Sequence, residues 1–283
     1  MANVSMKAVK SRIKSVEGTM QITNAMELVS ASKLRRAKER ALVTKPVKDI
    51  LTETLLAMRS DREASLSAFF KEREIKKTCY IVVAGDRGLA GGYNSNLFKA
   101  VSADVEDASY TLIPIGKKSL EHYKHNGREI LSSNYPLASE ISVSDCLAIG
   151  KLVSDGYAKA KFDRVVLAYT RFDSVLTQTP ILEQILPFSA DEKVELSRQS
   201  TIYEPSSDEL LCRVSSQYIA TFLYCAIAEA QASEHAARRN SMSSANKNGE
   251  TMLADMRLQY NRARQSVITQ EITEIVAGAG HAD

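Results

Sequence analysis

The stretch "TCYIVVAGDRGLAGGYNSN", residues 78–96, decides the fold class. Its first seven residues, Thr78–Ala84, are mainly β-branched or apolar and predict a buried strand. The turn after this strand contains four of the chain's 12 glycines, and residues 93–108 then have the pattern of a helix. A strand, a tight turn and a helix form the first half of a βαβ unit, so we expect an α/β domain here.

The same alternation continues through residues 77–205, which we take as the central domain. Further strands and helices are predicted at Tyr110–Ile115, Lys117–His125, Ser144–Lys161 and Arg164–Thr170. Residues Val175–Leu186 alternate only weakly and contain Pro180, which indicates a strand at the edge of the sheet. Strands that alternate with helices predict a largely parallel sheet.

The N-terminal segment, residues 1–58, has the pattern of a long helix with a partner along one side. Its first apolar residues, spaced four, three and four apart as in a coiled-coil seam, are Val9, Ile13, Val16 and Met20. We expect the seam to shift afterwards, first to Ile22, Met26 and Val29 and then to Leu34, Ala37 and Ala41. Pro46 lacks a backbone N–H, which predicts a kink or a break there.

The C-terminal segment, residues 206–283, contains no proline. Its three-four repeat of apolar residues runs through Leu253, Met256, Tyr260, Ala263 and Val267. About seventy helical residues would span roughly 105 Å, at about 1.5 Å per residue, so such a helix must project from a domain of this size. If the two terminal helices run antiparallel from one face of the domain, Val9 should lie within about one turn of Met256, and the C-terminal helix should extend beyond its partner.

Composition excludes several other classes of protein. The formal net charge of +3 is too small to indicate nucleic-acid binding, and we expect no apolar run long enough to span a bilayer. The thiols Cys79, Cys146, Cys212 and Cys225 form no CxxC pattern and have no nearby histidines, so we expect buried thiols in a reducing compartment and no metal site. The basic N-terminus could be a transit peptide, but the uninterrupted helical pattern favours mature structure.

The glycine-rich turn resembles a phosphate-binding loop without meeting either known pattern. It lacks the Lys-Ser/Thr of a P-loop and the spacing of GxGxxG. The backbone could still form a nest for an anion. The alternative is a tight passage from strand to helix that presents a smooth surface to a partner, with donors from Arg87 and Asn94. We favour the second and expect no cofactor; the residues of this candidate surface are Gly85, Arg87, Gly88, Gly91, Gly92 and Asn94.

Four stretches carry a more specific signal: "ITNAMELVSASKLRRA", "DRGLAGGYNSN", "SEHAARRNSM" and "YNRARQSVITQEITEIVAGA". In this order and spacing they resemble the γ subunits of bacterial rotary F-type ATP synthases, over essentially the whole chain. The resemblance implies a Rossmann-like α/β domain between two long terminal helices that form an antiparallel coiled coil. It also implies that the glycine-rich turn belongs to a partner-facing foot and holds no nucleotide.

The resemblance implies a rotor that is not itself catalytic. The coiled coil would turn inside a ring of three α and three β subunits, and the α/β domain would contact the ε subunit and the c-ring. The complex would lie at the cytoplasmic face of the plasma membrane, driven by H⁺ or Na⁺, with the chain peripheral to the membrane and bound to no nucleic acid.

Candidate contact residues follow from the same motifs. Met26, in "NAMELVS", would lie near acidic segments of the β subunits. The cations offered for nearby electrostatic contact are Lys7, Lys10, Lys33, Arg35 and Arg36. In "RARQSVITQ", the residues that would face the β subunits are Arg262, Arg264, Gln265 and Thr269. Two rival functions are a nucleotide-dependent enzyme with helical arms and a coiled-coil scaffold or tether without a rotary role.

Overall fold

A computed structural model describes residues 6–59, 64–71, 73–105, 109–125, 127–188, 204 and 207–279. Its contacts divide the chain into two compact units. The first, here called the coil unit, combines the residues up to Ser30 with those from Arg239 onward. The second, the domain unit, is Ala31–Arg238. The sequence-based boundaries 1–58, 77–205 and 206–283 stay a prediction.

The described elements, in chain order, are α1 (Met6–Arg59), a short 3₁₀ helix (Ala64–Leu66), β1 (Lys77–Val83), α2 (Tyr93–Asp104), β2 (Ser109–Ile115), α3 (Lys117–His125), a second 3₁₀ helix (Ala138–Glu140), α4 (Val143–Ala158), β3 (Arg164–Phe172), β4 (Gln178–Leu186) and α5 (Ser207–Ala279). The sheet has the order β2-β1-β3-β4. Strand β1 is parallel to β2 and β3, whereas β4 pairs antiparallel with β3 at the edge. The α/β class, the largely parallel sheet and the edge strand are confirmed.

Two layers of helices cover the sheet of the domain unit. Ile81 and Leu167 face a core that α4 and α5 complete with residues such as Leu223. Val82 and Val166 point to the opposite face, against α2 and α3. Successive side chains of a strand point to opposite faces, so a strand buried on both sides is mainly apolar, as Thr78–Ala84 is.

Helix α4 approaches α5 very closely at one glycine. A Cβ atom on Gly150 would lie 2.3 Å from the carbonyl oxygen of Ser216 and 3.1 Å from the nitrogen of Ala220. The start of α4 is fixed by a capping box, in which Ser142 accepts from the backbone of Asp145 and Asp145 accepts in return. The close approach at Gly150 packs the backbone of α4 against the backbone of α5 within the domain unit.

The coil unit contains the antiparallel pairing of α1 with α5. Met20 lies against Gly249, Thr23 bonds to Asn246 and Glu17 bonds to Arg257. Numbers that rise on α1 thus fall on α5, which confirms antiparallel pairing. The predicted register pairs Val9 with Met256. Compared with that register, Met20 contacts α5 about one turn closer to the C-terminus of α5.

The predicted shift of the seam on α1 is wrong at Ile22 and Val29, whereas Met26 and Ala41 are half-buried. Ile22 and Val29 are 63% and 55% exposed, whereas Thr23 is half-buried and Ser30 is buried. The seam keeps its three-four spacing and passes through polar residues, because Thr23 finds a hydrogen-bond partner on α5. In the domain unit, Leu34 and Ala37 are buried as predicted.

Other expectations also need correction. Helix α1 continues through Pro46 without a break. Helix α2 ends at Asp104, and residues 106–108 lie outside the described part of the chain. One described helix, within Glu209–Val276, is long and apolar enough to cross a membrane by length and composition. Its apolar residues include Ile219, which is buried in the core of the domain unit, so packing accounts for this composition.

Candidate functional site

The glycine-rich loop connects β1 to α2, and hydrogen bonds hold its base. The backbone N–H of Gly85 donates to Oδ1 of Asn94 over 2.9 Å, and the carbonyl oxygen of Gly85 accepts from the N–H of Lys118 over 3.1 Å. The carboxylate of Asp86 accepts from the backbone N–H groups of Ala138 at 2.8 Å and Ser139 at 3.0 Å. The base of the loop is therefore tied to α2, α3 and the second 3₁₀ helix.

Helix α5 holds the loop from the other side through a buried ion pair. Arg238 donates to the carbonyl oxygens of Gly88 at 3.3 Å and Arg87 at 3.5 Å, and it pairs with Glu234 one turn earlier on α5. Only 8% and 10% of the two paired side chains are exposed. A Cβ atom on Gly85 would lie 2.9 Å from the carboxyl carbon of Glu234, so a larger residue there would force this carboxyl group to shift.

The electrostatics of this contact oppose a bound phosphate. The carboxyl group of Glu234 occupies the space beside Gly85, and the N–H of Gly85 already has an acceptor. Burial raises the pKa of Glu234, while Arg238 opposes that rise. Burial, with smaller contributions from Arg238 and Lys33, lowers the pKa of His235 to about 4, so this imidazole is neutral at pH 7. The absence of nucleotide binding stays a prediction.

The outer part of the loop faces solvent. Its exposed residues are Arg87, Gly88, Leu89, Gly91 and Gly92. Leu89 has a φ of 61°, which is uncommon for a large apolar residue, and the residue is 64% exposed. Asn94 differs from the others, because it is half-buried and its oxygen accepts from Gly85. The outer part of the loop therefore presents a solvent-exposed surface.

The candidate contact residues of the coil unit lie on both of its helices. Lys7 and Lys10 are exposed on α1, and Met26 is half-buried. On α5, the last partly buried residue of the seam is Ala263, and every residue from 264 to 276 is exposed. The candidates Arg262, Arg264, Gln265 and Thr269 are all exposed; the Thr269 hydroxyl donates to the carbonyl oxygen of Gln265 over 2.9 Å.

The remaining candidates lie in the domain unit, where Lys33, Arg35 and Arg36 are exposed on α1. The guanidinium group of Arg35 lies 3.6 Å from the carboxylate of Glu39, and 82% of the Arg35 side chain is exposed. Such a pair adds little to stability in water, at about 0–1 kcal/mol. These three cations are available for contact with another chain.

Sequence reasoning missed two polar clusters that the structure assembles. One is the pair Glu234 and Arg238, whose four-residue spacing within "SEHAARRNSM" is the spacing of a helical ion pair. The other joins Thr23, Glu27 and Asn246 in the coil unit. Neither cluster forms a metal site, and the described residues contain no group of three or more His, Cys, Asp or Glu side chains able to hold a metal ion.

Comparisons with known proteins identify the family. A sequence model described as ATP synthase matches residues 5–280. An ATP synthase gamma chain from Ruminococcus albus is 41% identical over 280 residues, covering 97% of each chain. The chain belongs to the ATP synthase gamma chain family. A gamma chain from Staphylococcus epidermidis is 35% identical over 282 residues, which are 97% of this chain and 98% of the relative.

Solved structures share the fold of this gamma chain at lower identity. A chain of the Tetrahymena thermophila mitochondrial ATP synthase central stalk and c-ring is 21% identical, with a TM-score of 0.62 over 79% of this chain and 99% of that one. A rotor chain of the Euglena gracilis mitochondrial enzyme is 19% identical, with a TM-score of 0.63 over 93% and 98%. The two long helices and the mixed four-stranded sheet therefore belong to the fold of central-stalk chains.

Proposed function

We propose that this gamma chain is the central rotor stalk of an F-type ATP synthase. It couples ion-driven rotation of the c-ring to conformational changes at the catalytic β subunits, and it runs in reverse during hydrolysis. Membership of the gamma chain family supports this role. The observation that carries the proposal is the stretch of α5 from 264 to 276, which is exposed all round although it contains large apolar residues.

That stretch has a face that needs a covering partner. Ile268, Ile272 and Ile275 are 46%, 57% and 70% exposed and follow one another at four- and three-residue spacing. Residues so spaced lie on one side of a helix, and a contiguous apolar surface of this kind marks an interaction site. An α₃β₃ ring closed around the helix would cover it, with Arg262, Arg264, Gln265 and Thr269 as polar contacts to the β subunits.

The proposed mechanism follows from symmetry. One asymmetric stalk presents a different surface to each of three β subunits, and each subunit then favours the conformation that its own contacts stabilise. A shift from 1:99 to 99:1 requires about 5.5 kcal/mol of differential interaction. An exposed ion pair gives about 0–1 kcal/mol, so the cations Lys7, Lys10, Lys33, Arg35 and Arg36 cannot supply this alone. The coupling is therefore distributed over many steric and polar contacts, Met26 included.

The other proposed partners are the ε subunit and the c-ring, through the domain unit and the outer surface of the glycine-rich loop. The chain contributes no catalytic residue of its own in this proposal, and the complex lies peripherally at the cytoplasmic face of a bacterial membrane. Support comes from the bacterial relatives and from the carboxyl group of Glu234, which lies beside Gly85, whose N–H already donates to Asn94.

Co-purification tests the rotor assignment against a scaffold or tether without a rotary role. Affinity-tagged gamma chain expressed with its α, β and ε subunits should elute as one stoichiometric complex with ATPase activity. Elution of the gamma chain without α and β would overturn the assignment. Calorimetry of the isolated chain with Mg-ATP should detect no stoichiometric binding, and micromolar binding abolished by Gly91→Val would instead support a nucleotide-dependent enzyme.

A substitution at Met26 tests coupling separately from assembly. Met26→Lys places a new charge on a half-buried position of α1, where it can pair with a β-subunit carboxylate and resist rotation. We expect normal assembly and a reduced number of ions pumped per ATP hydrolysed in membrane vesicles, with Met26→Leu as the control. Normal pumping by Met26→Lys would show that Met26 does not contact the stator.

A further inference from the structure

Charged side chains of α1 in the coil unit are sorted by sign. Its four cations, Lys7, Lys10, Arg12 and Lys14, are all exposed. Its two acidic residues in the same stretch, Glu17 and Glu27, are half-buried and bonded to α5. The described part of this helix therefore presents its positive charges outward and its negative charges toward its own partner helix.

The bond that holds Glu27 comes from a buried residue. Asn246 is only 7% exposed, and its Nδ2 donates to Oε2 of Glu27 over 2.9 Å. The hydroxyl of Thr23 contacts Oδ1 of the same carboxamide. The reverse orientation of the amide would bring its oxygen against the carboxylate of Glu27, so the contact with Glu27 fixes the direction in which Asn246 donates.

A second bond acts in the same way nearer the N-terminus of α1. Nη2 of Arg257 lies 3.1 Å from Oε1 of Glu17, with 64% and 44% of the two side chains exposed. Hydrogen bonds to an ionised carboxylate are shorter and stronger than neutral ones. Both bonds therefore favour the conformation in which the carboxylate is turned toward α5. The buried bond of Asn246 is the better screened of the two from water.

We infer that Asn246 is a positioning residue, which holds the carboxylate of Glu27 on α5 and keeps it away from the stator-facing surface beside Met26. Arg257 does the same for Glu17. The inference rests on the proposed function, in which α1 meets acidic segments of the β subunits. A carboxylate released beside Met26 would repel those segments, although Asn246 itself touches no stator residue in this account.

Asn246→Ala tests the inference without changing the charge of the chain. The affinity of the full-length gamma chain for the α₃β₃ ring of the same enzyme is measured at about 0.05 M and about 0.5 M salt. At low salt the variant should bind about two- to fivefold more weakly than wild type, the size expected for one exposed charge contact. The difference should disappear at high salt, where such contacts are screened. Asn248→Ala, two residues away on an exposed position of α5, is the matched control and should bind as wild type does.

Rescue by Glu27→Gln separates positioning from a loss of structure. The double variant Asn246→Ala/Glu27→Gln should bind as tightly as Glu27→Gln alone, because no charge is left to release. An equal loss with Glu27→Gln present would overturn the inference, since the damage would then be structural. Unchanged low-salt affinity of Asn246→Ala would overturn it as well.

The isosteric variant Thr23→Val decides the matter if Asn246→Ala does not fold. It removes the hydroxyl that contacts the Asn246 carboxamide and should give a smaller loss of affinity, again relieved by Glu27→Gln. No loss at low salt in Thr23→Val would then overturn the inference. Failure of the wild-type chain to bind α₃β₃ would instead refute the proposed function, and the inference with it.

Discussion

Helix α5 has two stretches that differ in how they are buried. Between Ile219 and Ala230, in the domain unit, residues on almost every face are buried. Between Asn246 and Ala263, in the coil unit, only every third or fourth residue is buried or partly buried. The same secondary structure is thus stabilised by a three-dimensional core in one stretch and by a narrow seam in the other. The difference predicts that substitutions of buried residues destabilise the protein more in the first stretch than in the second.

Truncation of a buried leucine gives the largest contrast between the two stretches. Leu223 is fully buried in the domain core, whereas Leu253 lies in the seam and is 8% exposed. We expect Leu223→Ala to lower the free energy of unfolding by about 4 kcal/mol and Leu253→Ala by about 2 kcal/mol, because the seam can collapse or admit water. Chemical denaturation of the full chain measures both, and equal losses would mean that the seam is packed like the core.

Adding one methyl group to a glycine should have opposite effects in the two units. Gly150→Ala puts a Cβ against the backbone of α5 in the domain unit and should cost about 3 kcal/mol. Gly18, on α1 in the coil unit, has open space around the added atom, so Gly18→Ala should stabilise the helix by about 0.5–1 kcal/mol. A stabilising Gly150→Ala would show that α4 and α5 do not approach each other as described.

Acid sensitivity gives a smaller effect, and it belongs to the domain unit. Burial, Arg238 and Lys33 lower the pKa of His235 to about 4, while an unfolded histidine titrates near about 6.5. Between these values the unfolded chain binds more protons, so the stability that neutral His235 contributes is lost as pH falls through this window. Between pH 7.5 and 5.0 this contribution should change by about 2 kcal/mol.

The variant His235→Gln isolates this contribution, because other titrating groups stay the same. Thermal unfolding should show a smaller fall in Tm from pH 7.5 to 5.0 for the variant than for the wild type. The raised pKa of Glu234 acts in the opposite direction, since the folded state then binds the extra proton. Identical pH profiles for the two proteins would show that His235 is not held neutral.

The elements of the domain were predictable because their signals are local. The apolar strand Thr78–Ala84 and the helix Lys117–His125 follow from periodicity and turn residues, and α3 has the predicted ends. The path of the coiled-coil seam was not predictable in the same way. Ile22 and Val29 fit an apolar seam better than Thr23 and Ser30, and only a hydrogen-bond partner on α5, more than 200 residues away in sequence, reverses that preference.

The candidate contact residues came from a resemblance to a family and not from periodicity. The structure exposes most of them, as contact residues must be, but Asn94 and Met26 are half-buried and Gly85 is buried. The buried pair of Glu234 and Arg238 was missed because its role depends on the carbonyl oxygens of a loop about 150 residues earlier. Side chains that serve distant backbone groups leave no periodic signal.

The exposed end of α5 offers the most direct test of the rotor account. Single cysteines at Ile272 and, as a control, at Ile75 of the domain unit are labelled with a maleimide in the free chain and in the α₃β₃γ complex, with the wild-type chain giving the background of its native thiols. Both positions are exposed in the chain alone, at 57% and 50%. If the ring encloses α5, labelling at Ile272→Cys should slow at least about tenfold on assembly while Ile75→Cys stays unchanged, because a covered thiol is reached only when its cover opens. An Ile272→Cys that reacts equally fast in the free chain and in the complex would contradict the account.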